Sequence, residues 1–198
     1  MMTDISCKCK KVFYNLPVMD VSLEEFSFRH ICSQLREFNT VTKNNRAQIG
    51  PHFWWANAND LTRFRFIMSS LLAEKMSHRL SDFPYHKRFI IRHNGEFAGV
   101  IGLDFMSVDA PRSDVWIFVD SKHMGQHVAS TAVKKVEYFA RQKSIHSIRA
   151  CIANTNQRSK NLFCANNYEP SYTDSSRFYN QNTMVWWSKA LQTKVIEK

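Results

Sequence analysis

The sequence predicts a fold of the α/β (α+β) class, and three features carry that expectation. Helical periodicity opens the chain, an Asn94-Gly95 pair lies between two strand-like runs, and Gly125, the only glycine after Gly102, separates a strand-like run from a helix-like run. Asn-Gly supplies the positive φ angles of a tight primed turn, so 88–92 and 97–105 are predicted to form an antiparallel hairpin. A strand followed at once by a glycine turn and a helix belongs to β-α-β connectivity.

In chain order, the first predicted helix covers 22–38. There Ser22 and Glu25 have capping-box spacing, and Phe26, Ile31, Leu35 and Phe38 follow as apolar positions. A second helix begins near Asp60, with Leu61, Phe64, Ile67, Met68, Leu71 and Leu72 at helical intervals. The hairpin comes next, and 114–119 is a third strand. From about Met124 the apolar positions Val128, Ala132, Val136, Phe139 and Ala140 recur as on a helix. Residues 147–153 read as a strand and 157–166 as a short helix. A last aromatic strand at 183–191 is entered from a polar loop at 172–182. The predicted order is two helices, an antiparallel meander, then β-α-β-α-β.

Length and composition point to a single domain across 1–198, with 1–15 as a mobile basic arm. A domain of this size buries roughly 70% of its unfolded surface, enough for a core without disulfide staples. Hydrophobic residues at 44% and charged residues at 22% argue against disorder. The net charge of +10 favours polyanionic partners such as RNA, a ribosome or cofactor phosphates. No run reaches the roughly 18 apolar residues of a membrane span, and the first residues are polar, so a cytoplasmic protein with no membrane partner is expected. Cys7, Cys9, Cys32, Cys151 and Cys164 are odd in number and irregular in spacing, which fits reduced thiols. Cys7 and Cys9 lack the second pair that a four-ligand zinc site needs.

Around Gly125 the order strand, glycine turn, helix is contiguous. Backbone N–H groups at a helix start have no intrahelical partner and lie at the positive end of the dipole, so this junction suits a pyrophosphate. It points to a nucleotide-bearing cofactor.

Three motifs in order carry a family resemblance across most of 43–191. Lys122 to His127 is similar to the signature Q/R-x-x-G-x-G/A, within a longer Trp116 to Gln126 segment similar to Y-W-L-D-E-S-x-Q-G-Q-G. Asn156-Gln157-Arg158-Ser159 with Asn166-Asn167-Tyr168 is similar to N-x-x-S followed by N-G-F. Lys43-Asn44-Asn45-Arg46 ahead of Trp54-Trp55 resembles the segment between that family's first two helices. On these motifs the chain resembles the GNAT superfamily of N-acetyltransferases, and within it the ribosomal-protein N-terminal acetyltransferases of the RimJ/RimL type. The resemblance implies a mixed, mostly antiparallel sheet of about six to seven strands flanked by about four helices. It implies acetyl-CoA as co-substrate, no metal, and an acetyl group moved to a primary amine, first of all a protein N-terminal α-amine.

The sequence departs from the pattern at three places. Lys122 stands for Gln or Arg and keeps a charge for phosphate without the guanidinium fork. Asn167 stands for glycine and tolerates the left-handed conformation. His127 stands for Gly or Ala, where it either narrows the cradle or donates a hydrogen bond to phosphate. A zinc site is not read from His123 and His127, because Gly125 interrupts the helix between them.

Carried over residue by residue, the resemblance implies that Phe118, Val119, Lys122, His123, Met124, Gly125, Gln126, His127, Val128, Ala129 and Asn156 hold acetyl-CoA. Ser159 is implied as the donor to the leaving thiolate, and Asp114 as a carboxylate that orders a water for the amine proton, with Asp174 as a second candidate. Ser159 and Asn156 also suit helix capping, and Asp114 a plain strand end. Trp54, Trp55, Arg177 and Tyr179 are the implied acceptor contacts, with core packing the alternative for the tryptophans. Other readings of the same residues are a GNAT acting on aminoacyl-tRNA or a small-molecule amine, and a degenerate member acting as a binding module.

Overall fold

The computed structural model describes residues 20–77, 86–105, 112–179 and 182–191. The proposed arm at 1–15 lies outside the described residues. The strands are β1 (Val21–Glu25), β2 (His86–His93), β3 (Glu96–Phe105), β4 (Arg112–Val119), β5 (Ser147–Ala153), β6 (Glu169–Tyr179) and β7 (Asn182–Ala190). The helices are α1 (Ile31–Asn44), α2 (Arg46–Ile49), α3 (Asp60–Ser77), α4 (Val128–Gln142) and α5 (Gln157–Ala165), with single 3₁₀ turns at Trp54–Asn57 and Ser121–His123. The strands form one sheet in the order β1-β2-β3-β4-β5-β7-β6, antiparallel throughout except for the parallel β4–β5 pair.

Both faces of the central strands are buried, and alternation assigns each side chain to one of them. Phe89, Ile91, Ile101, Leu103 and Val115 pack with Val128, Ala132, Val133 and Val136 of α4. Ile90, Val100 and Phe118 face the opposite way, onto Phe38 of α1, Trp55 and Ile67 of α3. β2 therefore reads as the unbroken apolar run Phe89-Ile90-Ile91.

The predicted helix at 22–38 is wrong over its first half. Residues 21–25 form β1 and pair with β2 from Val21↔His93 to Glu25↔Phe89, so the Ser22/Glu25 capping spacing caps nothing. The open edge of β2 outcompetes a marginal local signal. The chain then turns at 26–30, where buried Gln34 accepts from Ser27 N (3.0 Å) and donates to Glu25 O (3.0 Å), and α1 starts only at Ile31. The predicted polar loop at 172–182 is also mostly strand: β6 pairs with β7 through two register shifts. As an edge strand it carries polar residues and Pro170 without penalty. The expectation of reduced thiols holds at Cys32 and Cys151 and fails at Cys164, which is disulfide-bonded. Spacing along a chain does not govern which thiols a fold brings together. Among the described residues no helix is long and apolar enough to cross a membrane.

β4 pairs with β3 along its length, from Phe105↔Ser113 to Gly99↔Val119. It pairs with β5 at only three rungs, Arg112↔Ser147, Ser113↔Ile148 and Asp114↔Arg149, while β5 runs on beside β7 to Ala153↔Met184. Beyond Asp114 the two parallel strands part, and the sheet is split by a wedge that opens toward their carboxyl ends.

Candidate active site

The turn after β4 is built from its buried aspartate outward. Asp120 N donates to Ala98 O (2.8 Å), and Asp120 Oδ1 accepts from Asn45 Nδ2 (3.0 Å) and from Lys122 N (3.3 Å). Asn45 Oδ1 in turn accepts from Ser121 N (3.0 Å), so the side chain between α1 and α2 grips the turn on both sides. His123 N donates to Asp120 O (2.9 Å) and Met124 N to Ser121 O (3.3 Å). The amides of Lys122, His123 and Met124 are thus engaged within the turn, which leaves the Lys122 side chain, exposed at this position, as its contribution toward a phosphate.

Further along, the chain adopts positive φ at Gly125 (76°) and His127 (55°), and α4 begins at Val128. Among the described residues, the amides from Gly125 to Ser130 donate to no backbone carbonyl. They are the orphan donors of a helix start, joined to those of the turn that leads into it. A Cβ built on Gly125 would meet nothing within 4 Å. His127 is the N-cap residue with an exposed side chain that caps nothing. His123 points the other way: its ring is buried and its Nδ1 lies 3.0 Å from His93 Nδ1 at the end of β2. Neither imidazole projects as a pair with the other, and among the described residues no group of His, Cys, Asp or Glu gathers as metal ligands do.

The wedge adds backbone to these amides. The Asp120–Ala98 bond sets the alternation of the β3–β4 ladder: Trp116 and Phe118 exchange hydrogen bonds with β3, while Ile117 and Val119, beyond the last rung with β5, direct their N–H and C=O away from it, into the gap. Val119 therefore lies where a cofactor arm can reach it. Phe118 does not; it is buried against Phe38 and Trp55. Ile117 was missed from the sequence, although counting back two residues from Val119 finds it.

The other wall is the start of α5. Asn156 is its N-cap, with Oδ1 accepting from Ser159 N (3.1 Å), and its Nδ2 remains available. Among the described residues the half-buried Ser159 Oγ makes no hydrogen bond. Arg158 reaches across to Met124 Sδ (2.9 Å), joining the start of α5 to the turn before α4, and Ser130 Oγ donates to Asn166 Oδ1 (3.1 Å), joining the first turn of α4 to the carboxyl end of α5. Asn167 takes the left-handed conformation, φ 63°.

At the apex of the wedge, Arg149 Nε and Nη2 hold Asp114 Oδ1 and Oδ2 at 2.9 and 3.1 Å, and the guanidinium stacks on Trp186, 4.2 Å from its centroid. Burial raises the Asp114 pKa above the ordinary carboxylate value, Arg149 opposes that rise, and Asp104 adds to it. The two tryptophans separate: Trp54 is 57% exposed, whereas Trp55 at 2% is core, packed on Phe38, Phe53, Phe66, Trp116 and Phe118. Trp55 is not an acceptor contact. The side chains of Asp174, Arg177 and Tyr179 lie outside the described residues. An open cavity of about 670 Å³ at the α1–α2 elbow, lined by Lys43, Arg46, Gly50 and Asn57, has its polar groups engaged: Lys43 with Asp60, Arg46 with Asn57.

Residues 54–166, more than half of the chain, match the sequence model of the acetyltransferase (GNAT) family. The chain belongs to the GNAT family. No curated protein matches it in sequence. Among solved structures, this GNAT chain is similar to RimL, the ribosomal L7/L12 α-N-protein acetyltransferase, in complex with coenzyme A. That likeness has a TM-score of 0.74 at 14% identity over 86% of this chain and 94% of that one. It is similar to the microcin C7 self-immunity acetyltransferase MccE with acetyl-CoA and AMP, with a TM-score of 0.72 at 12% identity over 86% and 92%. A third likeness is spermidine N-acetyltransferase from Vibrio cholerae with CoA and spermine, with a TM-score of 0.66 at 14% identity over 87% and 96%. The GNAT fold is a seven-stranded mixed sheet here, as the motifs implied.

Proposed function

We propose that this enzyme transfers the acetyl group of acetyl-CoA to a protein N-terminal α-amine, in the cytoplasm and as a single domain. The observation that carries the reading is the parting of β4 from β5 beyond Asp114, beside a turn whose amides from Gly125 to Ser130 lack partners among the described residues. Those amides and the positive dipole end of α4 suit a pyrophosphate. The gap-facing N–H and C=O groups of Ile117 and Val119 suit the two amides of a pantetheine arm in the manner of an added strand. Gly125 leaves room for close approach, and Lys122 and Arg158 bring positive charge to the same mouth. The residues present fit the group.

When bound, CoA supplies an acetyl thioester. Asn156 Nδ2 donates to a carbonyl of the arm, and Ser159 Oγ gives a proton to the departing sulfur. Asp114, fixed by Arg149 at the apex, draws the acceptor's ammonium to the place where the strands part. Trp54, Arg177 and Tyr179 are proposed acceptor contacts. An α-amine has a pKa near ~8 against ~10.4 for lysine, so it offers on the order of a hundredfold more neutral nucleophile at neutral pH. A weak base therefore suffices. The charge of +10 suits an acceptor displayed on a ribosome, and it disfavours a polyamine.

Calorimetry with acetyl-CoA, and thiol release in the presence of peptide amines, test the reading. Saturable binding is expected, with faster release for a free α-amine peptide than for a peptide whose only amine is a lysine side chain or for spermidine. Binding without release from any amine would sink the transferase reading and leave a CoA-binding module.

A further inference from the structure

Cross-strand register places a row of charged side chains at the apex of the wedge. His86 pairs with Asp104, Asp104 with Asp114, and Asp114 with Arg149, across four neighbouring strands. Residues directly opposite in neighbouring strands share a face, with Cβ atoms about 5 Å apart. This face is the one that carries Trp116, opposite α4. His86 Nδ1 lies 2.8 Å from Asp104 Oδ1, and both side chains are about one-third exposed, at 37% and 33%.

The two carboxylates have different partners. Both oxygens of Asp114 are held by Arg149, which fixes that carboxylate in place. Asp104 has only His86 on Oδ1, and among the described residues its Oδ2 accepts no hydrogen bond. The other charges that face the pair are Arg88 on β2, which feels Asp104, and Arg112 on β4, which feels Asp114. Neighbouring carboxylates with unequal surroundings take unequal roles, one staying ionised and the other exchanging a proton.

Acetyl transfer sets a demand for such a group. The acceptor enters as R–NH₃⁺ and leaves as an amide; one C–N bond forms and one C–S bond breaks. Two protons leave nitrogen, one ends on sulfur, and one must reach solvent in every turnover. We propose that Asp104 takes this proton, directly or through one water, and that His86 passes it to solvent. Once Asp104 carries the proton, the Nε2–H tautomer of His86 accepts it at Nδ1 as Nε2 releases a proton outward; this leaves Nδ1–H donating to the carboxylate, and tautomer exchange through solvent readies the ring for the next turnover. Asp114 and Arg149 hold the row in place. This route rests on the transferase reading.

The test uses Asp104→Asn and His86→Gln in the full chain, both at partly exposed positions. Calorimetry is expected to show acetyl-CoA affinity within threefold of wild type. Turnover with a free α-amine peptide is expected to fall at least tenfold in Asp104→Asn and severalfold in His86→Gln, and added imidazole buffer restores the second because a soluble base can carry the proton. A readout independent of activity is the carboxyl-carbon NMR titration of Asp114. Removing the neighbouring negative charge in Asp104→Asn is expected to move its midpoint to lower pH. Wild-type turnover in both variants, or no rescue of His86→Gln by imidazole, overturns the route while leaving the transferase reading intact. No thiol release from the wild type with any amine overturns that reading, and the route with it.

Discussion

At His127 the backbone adopts φ 55° and ψ 8°, a left-handed conformation that a residue with a Cβ enters at a cost of about 1–2 kcal/mol. That conformation explains why the family pattern places a small residue there, and the strain lies in the backbone. The imidazole itself is exposed and caps nothing. His127→Gly is therefore expected to stabilise the fold by up to about 1 kcal/mol, after the glycine's own entropic cost of about 0.5–1 kcal/mol. His127→Ala keeps the strain and gains nothing. Both variants should bind acetyl-CoA within threefold of wild type by calorimetry. Tenfold tighter binding in the glycine variant alone would show that the side chain obstructs the site. The site residues that were not legible from the sequence are those whose role depends on distant partners. Asn45 stands in a motif quoted from the sequence, but its grip on Asp120 and Ser121 spans some 75 residues of chain and has no local signature. His123 sits inside the phosphate signature yet turns its ring into the protein, onto His93.

Among the elements, β3 is the one on which the site leans. Gly102 faces Trp116 across the ladder, and a Cβ there would lie 2.4 Å from the indole Cε2. No rotation of a flexible side-chain tip relieves that contact, because the indole is itself wedged among Phe53, Trp55 and Phe66. Gly102→Ala is expected to cost about 1–3 kcal/mol by overpacking. Urea unfolding would read the loss, and tryptophan fluorescence would report the displaced ring. A variant within about 0.5 kcal/mol of wild type would mean that β4 shifts freely beside β3 and is no rigid wall. The β2–β3 hairpin was legible because its cause is local: Asn94 and Gly95 take positive φ by themselves. β5, α5 and β7 were legible for similar reasons, each a periodic run bounded by polar turns. β1 and β6 were not. Their five and eleven residues are strand only because β2 and β7 offer open edges, and nothing within either segment demands pairing.

At the scale of the molecule, the wedge divides the sheet into an arm of β1 to β4 and an arm of β5 to β7, joined by three rungs ending at Asp114↔Arg149. Both arms have apolar packing through α4, so neither needs the cofactor to fold. Acetyl-CoA lying along β4, with its phosphates on the start of α4, would replace the missing β4–β5 rungs by hydrogen bonds of its own. Ligand at a hundred times its Kd adds about 2.7 kcal/mol to stability. For a chain of this size that raises Tm by about 5–10 °C. The position of the gain is more informative than its size. Hydrogen exchange should slow at Ile117 and Val119 and from Gly125 to Ser130, whose amides have no partner among the described residues. The alternate residues Trp116 and Phe118, already bonded to β3, should change little. Protection alternating along β4 would be the signature of a ligand accepted as an eighth strand. Uniform protection of β4, or protection centred on the α1–α2 elbow, would place the cofactor elsewhere and remove the wedge from the mechanism.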